Sequence, residues 1–208
     1  MALFHRKRNA ADRAGSPAGT AVLDAGPALA ALTGDYTIDP AHSRIGFAVR
    51  HAMVTTVRGS FGGYEGSLHL DGTDPARSTA TVEVSTASVD TGIADRDAHL
   101  RGADFFDTDA FPLMTFRSTA AERAGGDTYR LTGDLTIKNV TRPLTLGLEF
   151  QGAATDVYGA ERVGFEGSAE ILRSDWGLTW NAALEAGGVM VSDKVKLTFD
   201  ISAVRAAA

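Results

Sequence analysis

Tyr129-Arg130-Leu131-Thr132-Gly133-Asp134-Leu135-Thr136-Ile137-Lys138-Asn139-Val140-Thr141-Arg142-Pro143-Leu144-Thr145-Leu146-Gly147-Leu148-Glu149-Phe150 holds two alternating runs set back to back. Tyr129, Leu131, Gly133, Leu135 and Ile137 share one side of the first run, and Leu144, Leu146, Leu148 and Phe150 share one side of the second. Arg130, Asp134, Thr136, Thr145 and Glu149 fall between them. Successive strand side chains point to opposite faces, so each run predicts a strand with one apolar and one wet face. Half-wet strands belong to antiparallel sheets. The link Lys138-Asn139-Val140-Thr141 leaves few residues to spare between the two, as a hairpin requires.

The same period runs through the rest of the body. Ile45, Phe47 and Val49 alternate, then Gly62, Tyr64, Gly66, Leu68 and Leu70, then Ala80, Val82 and Val84, then Met114 and Phe116. Val163, Phe165, Gly167, Ala169 and Ile171 follow, and Val195, Leu197, Phe199 and Ile201 close the chain. Asp71-Gly72-Thr73-Asp74-Pro75 and Gly125-Gly126-Asp127 supply turn chemistry between runs. About eight strands with short links and one apolar face leave a sandwich or a closed barrel, and closure removes unpaired edges. An eight-stranded barrel has room inside for its own side chains or for one small ligand.

The 208 residues fit one domain plus a tail, with a formal net charge of −6 that argues against a general nucleic-acid binder. There is no cysteine, which excludes disulfides, thiolate metal sites and a thiol nucleophile. Residues 1–34 read as a flexible basic tail and residues 35–205 as the barrel domain. The tail carries Arg6, Lys7, Arg8 and Arg13 against Asp12 and Asp24, so the body is more acidic than the whole. Asn9, Asp12, Arg13, Gly15, Ser16 and Pro17 stand where a secretory apolar core would follow the basic start, so a cytoplasmic location is expected, secretion being the alternative. No stretch approaches the ~20 apolar residues of a membrane helix, so stable membrane insertion is not expected.

Asp95–Phe111 breaks the alternation. Asp95 or Asp97 can cap a short helix that buries Leu100 and ends at Gly102, with Phe105 and Phe106 as a second apolar anchor. This segment reads as a helical lid across one end of the sheet, held by a hydrogen-bonded network of Arg96, Asp97 and His99. Metal ligation by Asp95, Asp97 and His99 is disfavoured, because Arg96 sits among them and the calcium-loop spacing fails. Ser43 adjoins His42, but strand neighbours face opposite ways, and no Gly-x-Ser-x-Gly elbow occurs.

Four blocks in order resemble the YceI-like family. They are Tyr36-Thr37-Ile38-Asp39-Pro40-Ala41-His42-Ser43-Arg44-Ile45-Gly46-Phe47 with His51, then Arg96-Asp97-Ala98-His99-Leu100-Arg101 with Asp104-Phe105-Phe106-Asp107 and Pro112. Leu131-Thr132-Gly133-Asp134-Leu135-Thr136-Ile137-Lys138 with Val140-Thr141 follows, then Arg173-Ser174-Asp175-Trp176-Gly177-Leu178 with Val189 and Val191-Ser192-Asp193-Lys194-Val195. Tyr36 stands where Trp is common, and Asn139 where Gly is common. The resemblance implies an all-β fold, an extended eight-stranded antiparallel lipocalin-like barrel with a short helical lid segment. It also implies that the interior holds a polyisoprenoid or quinone-like lipid, bound, carried or stored without catalysis and without a cofactor or metal.

The lipid-facing candidates are then the inward residues of each run. They are Ile45, Phe47 and Val49; Val82 and Val84; Met114 and Phe116; Leu131 and Leu135. Leu146 and Leu148, Phe165 and Ala169, and Leu197 and Phe199 complete them. Two other readings stay open: an acid–base enzyme using Arg96, Asp97, His99 and His42 at the barrel mouth, or a stress-related interaction domain whose barrel is filled. A monomer or a homodimer paired edge to edge or mouth to mouth both fit such a barrel.

Overall fold

Each alternating run folds as a strand with its apolar side turned to one enclosed interior. The computed structural model describes residues 29–184 and 187–206. β1 (Gly34–Ile38) and β2 (Arg44–His51) run end to end in one direction, and β3 (Thr55–Phe61) and β4 (Tyr64–Leu70) return beside them. β5 (Thr79–Ser85) and β6 (Val89–Asp90) form a third interrupted ribbon. β7 (Leu113–Gly125), β8 (Thr128–Ile137), β9 (Val140–Thr155), β10 (Glu161–Leu172) and β11 (Val191–Arg205) are continuous. Every pairing is antiparallel, and β11 meets β10 on one side and both β1 and β2 on the other. The eight ribbons therefore close into an up-and-down barrel.

The seam is fastened where the first ribbon breaks. Ser43 Oγ accepts from Ser202 N at 2.9 Å, and Asp39 N donates to Ser202 O at 2.8 Å. The Asp39 carboxylate takes hydrogen bonds from Arg162 at 2.6 Å and His42 at 2.7 Å. Arg162 above all, then His42, holds the Asp39 carboxyl down from 3.8 to about 2. A folded pKa below the unfolded one adds stability above about pH 4, and that stability is lost as pH falls toward about 2. Urea midpoints measured from pH 5 down to pH 2 are expected to fall along this limb, and Asp39→Asn is expected to make the fall shallower, since Asp71 and Asp156 are held down too.

Several glycines sit where close approach, rather than a turn, leaves little room for a side chain, Gly59 and Gly72 among them. Gly59 on β3 lies under Phe47, and a Cβ there would come within 2.5 Å of the Phe47 ring. Gly72 lets the chain at Leu29 pass, since a Cβ would meet the Leu29 carbonyl oxygen at 1.6 Å. Of the tail expected over residues 1–34, residues 1–28 lie outside the described residues. Leu29–Thr33 lie across one end of the barrel, the base. There Arg205 donates to the carbonyls of Ala31 and Thr33, both at 2.9 Å, and its guanidinium lies over the Tyr36 ring. Tyr36, almost fully buried, donates to the Leu32 carbonyl at 2.9 Å.

The opposite end carries the helix, α1 (Ala94–Arg101), followed by the turns to Pro112. Its N-cap is Ile93, with no side-chain cap, rather than the expected Asp95 or Asp97. The buried Asp97 carboxylate instead reaches back to Thr91, taking the backbone N–H at 2.9 Å and the hydroxyl at 2.5 Å. A capping-type carboxylate is thus used one step upstream, tying the helix to the strand it leaves. Gly102 ends the helix as expected.

Candidate functional site: an apolar channel through the barrel

The eight inward faces do not meet at the axis. They enclose a cavity of about 430 Å³, within the roughly 300–1,000 Å³ range of small-molecule sites. Along β11 its wall runs from Val191 through Leu197 to Ile201. At about 3.3 Å per residue that is roughly 30 Å of strand, or roughly 25 Å along the axis at a tilt of about 40°. That volume spread over that length leaves a channel about one hydrocarbon chain wide. Leu29 and Leu32 close the base, while Leu100, Phe105, Phe106, Leu178 and Trp180 wall the lid end.

Of the lining candidates read from the sequence, Ile45, Phe47, Val49, Val82, Val84, Met114 and Phe116 lie on the cavity wall. Leu131, Leu135, Leu146, Leu148, Phe165, Leu197 and Phe199 lie there too. Ala169 does not: it is buried behind the wall, in a cluster with Phe116 and Leu146. Leu178, Trp180 and Met190 also face the cavity, but they sit in the irregular stretch between β10 and β11, where no period marks an inner side.

The polar groups bordering the channel are largely occupied. Arg173, 7% exposed, donates through Nε to Ser192 O at 3.0 Å and through its terminal nitrogens to the carbonyls of Leu178, Trp180 and Val191. Burial pushes its pKa down, with the Asp193 charge acting against that shift. Arg96 spends Nε and one terminal nitrogen on Thr91, at 2.7 and 2.9 Å. Asp71 at the base accepts from Thr73 and Asp74 and pairs with Arg77 at 3.0 Å. Most of what remains facing the interior is carbon.

Arg96 and Asp97 converge on Thr91. His99 turns elsewhere, pairing with Asp104 at 2.9 Å and packing edge-on against Phe105 and Trp180. Phe105 is buried, and Phe106 packs edge-on against Phe61. His42 is engaged by Asp39 at the β1–β2 break, far along the ribbon from His51 at the end of β2. No two of His42, His51 and His99 share a hydrogen-bond partner among the described residues, so the geometry assembles no acid–base pair between them. Among the described residues no group of three or more His, Asp or Glu is placed to hold a metal ion.

A closed antiparallel barrel around a long, mostly carbon-lined channel is the architecture of a lipocalin-like barrel. The chain belongs to the YceI-like family, whose domain matches residues 36–203. A UPF0312 protein of Azotobacter vinelandii is 38% identical over 162 residues, covering 77% of this chain and 83% of that protein. The crystal structure of BcnA from Burkholderia cenocepacia superposes with a TM-score of 0.71 at 25% identity, covering 79% of this chain and 98% of that one. A polyisoprenoid binding domain from Saccharophagus degradans, implicated in plant cell wall breakdown, shares the fold with a TM-score of 0.61 at 16% identity. That likeness covers 82% of this chain and 98% of the domain.

Proposed function

We propose that this protein binds a long-chain isoprenoid or similar lipid inside the barrel and carries or stores it without chemical change. The observation that carries the reading is the channel: long, narrow and lined by aliphatic and aromatic side chains from every ribbon. Water is a poor occupant, because an ordered water needs two to four polar partners. An unfilled apolar void forfeits the contacts its lining would otherwise make. A flexible branched hydrocarbon recovers that loss and gains about 0.8 kcal/mol for each CH₂ taken from water. The polyisoprenoid binding domain of the same fold supports the same class of occupant. A quinone-like head at the lid end is compatible with the half-exposed His99 and Asp104 there.

Native mass spectrometry of the purified chain is expected to show a bound mass that organic extraction removes and that added polyprenol restores. Preparations that carry no lipid and refuse added polyprenyl compounds would sink the proposal.

A further inference from the structure

The hairpin of β2 and β3, residues 44–61, contains Arg44, Arg50, His51 and Arg58 and no carboxylate, in a chain whose net charge is −6. None of the three arginines is in a salt bridge among the described residues. At its tip Met53 is 59% exposed and Val54 75% exposed. The turn is held in a tight form, with Ala52 and Met53 both in the left-handed region at φ 48° and 61°. This is an unfavourable conformation for residues with a side chain. Arg50 supports it from below, donating to the Met53 carbonyl at 2.8 Å and to Thr56 Oγ1 at 3.2 Å. Ala52 N donates to Met190 O at 2.7 Å, which sets the exposed Val189 beside the tip.

The tip continues the channel. Val49, Val57, His51 and Met190 line the cavity and are themselves partly exposed, so the cavity wall comes within a few residues of Met53 and Val54. Arg58 lies four residues from Val54, about 13 Å back along the strand, with Arg50 nearer. An apolar point with guanidinium groups behind it that no carboxylate neutralises matches a lipid surface: side chains enter the acyl boundary while the cations stay at the anionic headgroups. The turn between β9 and β10 also exposes Val157 and Tyr158, but Asp156 stands beside them with its carboxylate shared with Arg162. There the neighbouring cation, Arg162, is neutralised by that carboxylate.

We propose that the β2–β3 hairpin docks the barrel on an anionic lipid surface and that cargo enters and leaves past its tip. The inference rests on the lipid-binding reading, yet docking can be measured on vesicles that contain no prenyl lipid. The full chain is to be floated with vesicles of phosphatidylcholine alone and of phosphatidylcholine mixed with phosphatidylglycerol. Stronger partitioning to the anionic vesicles is expected. Val54→Asp is expected to weaken it about tenfold, the weight of one apolar side chain withdrawn from the interface. Met53→Ser gives a second, independent probe of the tip. Arg58→Gln is expected to remove about fivefold on anionic vesicles only, and Val157→Asp to change nothing.

Uptake of a polyprenol from anionic vesicles should slow in Val54→Asp while uptake from detergent micelles stays at the wild-type rate. Wild-type partitioning by both tip variants would overturn the proposal. So would loss on Val157→Asp, or loss caused only by replacing Arg6, Lys7 and Arg8 with Gln. A dimer that Val54→Asp breaks, in a protein that ignores vesicles, would assign the tip to a second copy instead. Failure of the wild type to load from micelles would sink the cavity reading and leave docking to stand on flotation.

Discussion

Val82→Phe is expected to leave the barrel folded and to abolish lipid loading. Val82 projects inward from β5, lines the channel, and touches both the lid-end cluster and the cluster around Phe116 and Leu146. A phenyl ring there blocks a passage about one chain wide. Overpacking costs about 1–3 kcal/mol in a filled core, but here the added ring has void to occupy, so the thermal midpoint should hold or rise. A chain denied one side of the block forfeits about 0.8 kcal/mol for each CH₂ left in water; four such groups already weaken binding about 200-fold.

The wild type should gain about 2.7 kcal/mol at a ligand excess of 100 over Kd, or roughly 5–10 °C in midpoint at about 2–4 °C per kcal/mol. Val82→Phe should gain nothing. Phe165→Asp should abolish loading as well, by placing an unpaired carboxylate beside Phe150 in a dry wall, at a risk to the fold that Val82→Phe avoids. Wild-type occupancy in Val82→Phe would place the lipid outside the barrel.

The eight alternating runs of the sequence correspond one to each ribbon, because alternation is the direct signature of a wall with one dry side. β1, β3 and β6 were not legible as separate strands. β3 presents Val57, Gly59 and Phe61 inward, and Gly59 interrupts the apolar series because the Phe47 ring fills its place. β6 has two residues, too few for any period. The channel itself could not be read, since period two gives the facing of a side chain and not the distance to the opposite wall. Ala169 shows the same limit: it faces inward, but Phe116 and Leu146 cover it. The lid cluster was legible by residue type and not by partner. His99 finds Asp104 and Trp180, and the second of these lies 81 positions away in a stretch without regular structure.

Arg173 is the residue of that irregular stretch on which most depends. Its guanidinium fork is planar, and its donors reach the carbonyls of Leu178 and Trp180 on one strand of chain and Val191 and Ser192 on another. It thereby ties the 178–192 segment, which carries the Trp180 wall of the cavity, to the end of β10. Arg173→Leu keeps the apolar stem but strands the carbonyls of Leu178, Trp180 and Ser192, while Val191 O keeps the Asn181 amide at 2.7 Å. Each unsatisfied buried acceptor costs about 1–3 kcal/mol, reduced where water can enter. A total of about 3–5 kcal/mol is expected, a drop of roughly 10 °C at about 2–4 °C per kcal/mol. Arg173→Lys should recover little of it, because one ammonium with three donors on a flexible stem cannot span both segments. Amide exchange should localise the damage, with protection lost first at Leu178 and Met190 and kept along β7 and β8. A variant as stable as the wild type would mean that the three freed carbonyls find water without loss, and that the lid-end wall is held by Trp176 and its bond to the Leu135 carbonyl instead.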